Sequence, residues 1–115
     1  MLYTEITIGK KELKLRLDAR GCVTLERKLG KSPLSIFMDT ENQMPKLEDM
    51  ILVFHASLQK YNKGYTEDKT YDLYDKFIED GNVLTDFIPV IMDIFQNSGF
   101  FKIEETEVVE TEKKL

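Results

Sequence analysis

The sequence has no tryptophan, a single cysteine (Cys22) and a single histidine (His55) among its 115 residues. One thiol excludes an internal disulfide, and one cysteine with one histidine builds neither a zinc cluster nor a redox pair. Long apolar runs are also missing. None approaches the ~20 residues that span a bilayer, and the N-terminus alternates in polarity where a signal peptide would carry an apolar core. These absences predict a soluble cytoplasmic protein without a membrane segment. Positive charge is short as well: the net charge is −5 and the isoelectric point about 4.9, so a phosphate backbone would be repelled and nucleic acid is not an expected partner. The first third does hold a basic excess, in Lys10, Lys11, Lys14, Arg16, Arg20, Arg27, Lys28 and Lys31, which Glu5, Glu12, Asp18 and Glu26 partly offset.

What is present is core material. Hydrophobic residues make up 42% of the chain, with seven Phe and five Tyr, too apolar for wholesale disorder and sufficient for one domain. From Leu2 to Ile8 the pattern has period two, with Leu2, Thr4, Ile6 and Ile8 on one side. Gly9, Lys10 and Lys11 read as a turn, and Leu13, Leu15 and Leu17 then alternate with polar residues, giving a β-hairpin. An isolated hairpin is marginal in water, so its apolar face must lie on other elements.

Beyond Asp18 the spacing becomes helical. Asp18 is placed to cap a helix whose stripe is Cys22, Leu25 and Leu29, ended by Gly30. Ser32 and Pro33 mark a helix start or a turn before Leu34, Ile36, Phe37 and Met38. The polar run 39–45 reads as a loop. Pro45 opens a helix with Leu47, Met50, Ile51, Phe54, Leu58 and Tyr61 on one face, stopped by Gly64. Thr66 caps a helix that gathers Leu73, Tyr74, Phe77 and Ile78 and closes at Gly81.

The last helix carries Leu84, Phe87, Ile88, Val90, Ile91, Met92, Ile94 and Phe95, more than half of its circumference. A helix this apolar is either central or a docking surface. Asp86 as N-cap would put Pro89 in the first turn, where its missing N–H is harmless. Gly99 ends the helix, and Phe100 and Phe101 follow; adjacent rings cannot both point inward on a regular element. Residues 102–115 are charged and read as a tail or a single exposed strand, leaving 1–101 as one globular domain.

No chemistry-bearing constellation emerges. His55 suffices by count for a Ser, His and Asp triad, but no pattern places it near a nucleophile. Cys22 lies on an apolar stripe, where a thiol behaves as a small hydrophobe. Asp72, Asp75, Glu79 and Asp80 are spaced as the solvated face of a helix, without the glycine-punctuated loop of a calcium hand. There is no phosphate-cradling glycine loop and no metal-ligand spacing. Tyr61, Tyr65, Tyr71 and Tyr74 serve either core packing or an interface. The expectation is a protein that is not an enzyme and uses no cofactor.

The N-terminal hairpin followed by several helices, the run IFMDTENQMPKLEDMILVFHASLQKYN and the ending DFIPVIMDIFQNSGFF resemble the tail assembly chaperones of long-tailed phages and prophages of Gram-positive bacteria. The likeness spans residues 1–101 as an overall pattern, without a signature triad. The order of elements predicts an α+β fold, mainly α-helical, with the N-terminal hairpin packed over the first helices of a small bundle, and the resemblance implies a small α-rich protein. It implies a chaperone that coats the tape measure protein, whose apolar stripes would otherwise aggregate, and recruits tail tube subunits. Phe87, Ile91, Ile94 and Phe95 on the last helix, with Phe100 and Phe101 beside them, are the expected protein-interaction residues, although the same side chains also suit a core. Their excess predicts a homo-oligomer. Such families often add a longer frameshifted product, for which Lys113 and Lys114 would be the slippery site. The competing reading is a small acidic regulatory or decoy protein that occupies a nucleic-acid-binding partner.

Overall fold

The hairpin forms where the alternation is strict. In the computed structural model, which describes residues 2–38 and 44–101, β1 (Thr4–Ile8) pairs antiparallel with β2 (Lys11–Leu15). The register sets Thr4 opposite Leu15 and Ile6 opposite Leu13, so one face presents Thr4, Ile6, Ile8, Leu13 and Leu15 to the core. Ile8 pairs with Lys11, which makes Gly9 and Lys10 a two-residue turn. Gly9 supplies the positive φ of 62° that the turn requires. Leu2 departs from expectation: it precedes the strand and is 67% exposed, because β2 offers it no partner beyond Leu15. Past Leu15 the chain leaves β1, and the Arg16 N–H donates to the Ser57 carbonyl at 2.9 Å.

Five helices follow: α1 (Ala19–Leu29), α2 (Ser35–Met38), α3 (Leu47–Leu58), α4 (Glu67–Glu79) and α5 (Leu84–Asn97). The fold is α+β and mainly helical, as the periodicity predicts. The caps of α1 and α4 also form as expected. The Asp18 Oδ1 accepts from the Gly21 N–H at 2.8 Å, the Thr66 Oγ1 accepts from the Lys69 N–H at 3.1 Å, and Gly30 adopts the left-handed conformation at the end of α1. The expected loop 39–45 falls largely outside the described residues, as do the tail 102–115 and its Lys113 and Lys114.

The central helix is α3, with Met50, Ile51, Val53, Phe54, Ala56, Ser57 and Leu58 all buried. A one-faced reading of α3 misses Val53, Ala56 and Ser57. These small side chains form a second face, on which α1 packs closely enough that a Cβ on Gly21 would stand 3.7 Å from the Ala56 carbonyl oxygen. The hairpin lies against α3, α4 and α5, chiefly away from α1 and α2, because its apolar face meets the late helices. Tyr61 lies beyond the end of α3, exposed, with its ring edge-on to Tyr3 at 5.8 Å. Ile78 is more than a third exposed, and Met38 is mostly exposed.

Helix α5 starts earlier than the Asp86 cap implies. Val83 is the N-cap and Asp86 is the third helical residue, its carboxylate accepting the Val83 N–H at 2.8 Å. Pro89 therefore sits in the second turn, where the Thr85 carbonyl loses an intrahelical donor; both residues are exposed, so water can replace it.

Candidate functional site

Phe87, Ile91, Ile94 and Phe95 are each 0% exposed. They occupy the i, i+4, i+7 and i+8 positions of α5 and point at the subunit's own interior, so the expectation that they form an external docking face is corrected. The physical reason is the aromatic cluster on the other helices. Phe87 packs against Phe54 of α3 and against Tyr74 and Phe77 of α4, and Phe95 packs against Phe37. The self-association expected from these residues loses its ground with them.

Phe100 and Phe101 remain, and the end of α5 explains how two adjacent rings are accommodated. Gly99 has φ 90°, its N–H donates to the Gln96 carbonyl at 3.1 Å, and the Phe100 N–H donates to the Phe95 carbonyl at 2.9 Å. This is a Schellman ending, whose usual apolar contact is present as Phe100 against Phe95, with ring centroids 5.0 Å apart. Phe100 thus closes the core over the helix terminus. Phe101, the next residue, is also half-buried against the core and lines a different cleft.

Two open clefts flank Gly99 and share Arg16, Ser98 and Gly99 as a wall. One, of about 350 Å³, is lined by Phe100, Leu17, Ala19 and Cys22. The other, of about 320 Å³, is lined by Phe101, Leu2, Gln96 and Asn97. The wall is fixed by polar bonds. The Ser98 Oγ accepts the Leu17 N–H at 2.9 Å, and Asn97 Nδ2 donates to the Thr4 Oγ1 at 2.9 Å. The Arg16 guanidinium donates to the Leu2 carbonyl at 2.7 Å. An apolar rim on a rigid base of this kind suits reception of apolar side chains from a partner. A signal for the division of labour between Phe100 and Phe101 exists in the sequence, in the five-residue spacing from Phe95 to Phe100 across Gly99.

The titratable candidates are held apart. His55 lines a separate cleft of about 290 Å³ with Lys28, Arg20 and Lys60, whereas Cys22 lines the Phe100 cleft. Burial lowers the His55 pKa, and the neighbouring Lys28 ammonium lowers it further. Burial raises the Cys22 thiol pKa, and the neighbouring Glu26 raises it further. Among the described residues, no group of three or more His, Cys, Asp or Glu side chains could hold a metal ion, and no helix is long and apolar enough to cross a membrane.

A family model described as a family of unknown function, DUF6096, matches residues 3–114. No curated protein and no solved structure matches the chain.

Proposed function

The chain belongs to DUF6096, a family of unknown function, and from its surface and its sequence pattern we propose that it is a non-catalytic tail assembly chaperone, binding the tape measure protein and tail tube subunits in the bacterial cytoplasm. The observation that carries this reading is Phe101 beside the two-thirds exposed Leu2 in an open cleft at the end of α5. A tape measure helix presents apolar side chains at i, i+3 and i+4 intervals, and masking them reversibly needs a small apolar receptor on a rigid base. Leu2 and Phe101 supply the apolar contact, while Arg16, Asn97 and Ser98 hold the base in place. The partner's identity comes from the resemblance to tail assembly chaperones.

The test is co-expression of the full chain with a tape measure protein, the long helical protein that this reading expects to be encoded beside it. The wild-type chain keeps that protein soluble and co-purifies with it. Phe101→Asp and Leu2→Asp, both at the rim of the cleft, abolish co-purification while leaving the circular dichroism spectrum unchanged. A wild-type chain that fails to co-purify, or variants that co-purify undiminished, would sink the proposal.

A further inference from the structure

At the opposite end of the hairpin from the Phe101 cleft, a groove of about 660 Å³ runs between the Gly9 turn and α4. Its rim gathers Lys10 and Lys11 from the hairpin, Lys63 from the connection after α3, and Lys69 and Lys76 from α4. Asp72 is the one carboxylate among the lining residues, and the floor is Ile8, Leu73 and the ring of Tyr65. Five lysines against one aspartate is a reversal of sign on a chain whose net charge is −5.

Two of the nearby carboxylates, Glu79 and Asp80, are already engaged. Asp80 Oδ2 accepts the Gly9 N–H at 2.6 Å, and Lys76 lies 3.8 Å from both Glu79 and Asp80. Lys11 donates to the Tyr65 hydroxyl at 3.4 Å and sits 5.7 Å from that ring's centroid. Lys10, Lys63 and Lys69 are exposed and make no ion pair among the described residues. Clustered ammonium groups repel one another, and an anionic ligand reverses that repulsion.

We propose that this groove binds a short acidic segment of a partner protein, with its carboxylates on the lysine rim and its aliphatic side chains on the Ile8, Leu73 and Tyr65 floor. The lysines are dispersed around an apolar floor, which matches carboxylates spaced along a chain that also carries aliphatic side chains. A long polyanion fits worse, because Asp68 and Asp75 extend the acidic row of Asp72 along α4 at i, i+4 and i+7, beyond the groove. This inference does not rest on the tape measure reading, since it concerns a different surface and is measured with a different probe.

Fluorescence anisotropy of a labelled peptide of alternating glutamate and valine tests it on the full chain. Saturable binding is expected at low salt, weakening as salt is raised, with no binding of the same peptide carrying glutamine for glutamate. The combined variant Lys10→Gln, Lys63→Gln, Lys69→Gln is expected to bind roughly tenfold more weakly or worse, from three surface charges acting together, at an unchanged melting temperature. Lys46→Gln, outside the groove, keeps the wild-type affinity. Absence of saturable binding, equal binding of the glutamine peptide, or an undiminished triple variant would overturn the proposal. So would tighter binding of a single-stranded oligonucleotide, which assigns the groove to nucleic acid. A concentration-dependent dimer abolished by the triple variant would give the groove to a second copy of the chain and overturn the partner assignment.

Discussion

The ring of Phe87 stands edge-on to the ring of Phe54, centroids 5.5 Å apart and planes at 71°. Tyr74 approaches the same Phe87 ring at 5.0 Å and Phe77 at 5.6 Å, so one side chain of α5 joins the central helix α3 to α4. Aromatic pairs in this geometry add to the stabilisation that burial alone supplies. Truncating Phe87 empties the junction of three helices.

Phe87→Ala is therefore expected to cost about 3–5 kcal/mol, measured as the shift in urea unfolding free energy. Phe87→Leu, which keeps most of the volume, loses distinctly less. A loss under about 1 kcal/mol for the alanine variant would mean that the cluster is not formed in solution.

Phe100 and Phe101 are expected to separate in stability measurements although they are neighbours. Phe100 stacks on Phe95 through the Schellman ending, so Phe100→Ala costs about 1–2 kcal/mol. Phe101 lines an open cleft, and Phe101→Ala stays within about 1 kcal/mol of wild type. Both rings are half-buried against the core, and the reverse order in thermal unfolding would contradict the assignment of the helix-closing contact to Phe100.

Much of the fold was legible because its signals are local. The strict alternation of Thr4, Ile6 and Ile8, the capping side chains of Asp18 and Thr66, and the stop at Gly30 each act within a few residues of themselves. The candidate site was harder, because burial depends on partners far along the chain. The apolar breadth of α5 fits a docking surface or a central position equally well until Phe54, Tyr74 and Phe77 are seen to meet Phe87. The lysine groove shows the same difficulty. Lys10 and Lys11 read as part of an N-terminal basic excess, and only the approach of α4 to the hairpin turn brings Lys63, Lys69 and Lys76 beside them.

His55 sets a pH dependence whose sign follows from its surroundings. Burial and Lys28 hold its folded-state pKa below the ordinary value of 6.5, outweighing the opposing pull of Glu67 and the Tyr65 backbone. Between that lowered value and 6.5 the unfolded chain binds more protons than the folded one, so stability falls as the pH drops through this window. His55→Gln is expected to flatten the slope there and to leave the alkaline side unchanged. Equal slopes for the two proteins would show that the imidazole is not desolvated. The carboxylates act further down: Glu67 is lowered by its bond from Lys28 and Asp18 by the Gly21 N–H, so their stabilisation is lost below their ordinary values of 4.5 and 3.8.

The bond between Asn97 and Thr4 links the end of α5 to the start of the hairpin, and with it the two walls of the Phe101 cleft. Asn97 Nδ2 donates to the Thr4 Oγ1 at 2.9 Å and to the Tyr3 carbonyl at 3.3 Å, and Thr4 is only 7% exposed. Asn97→Ala leaves a buried hydroxyl without its donor and is expected to cost about 1–3 kcal/mol. Thr4→Val removes the acceptor but spares the bond to Tyr3, so it costs less. With the hydroxyl gone, the second substitution strands nothing further at that position, and the double variant is expected to lose less than the sum of the two single variants by about 0.5 kcal/mol or more. Strict additivity in the unfolding free energies would show that the bond carries no coupling. In that case the Leu2 side of the cleft is held by the Arg16 bond to the Leu2 carbonyl and the Asn97 bond to the Tyr3 carbonyl.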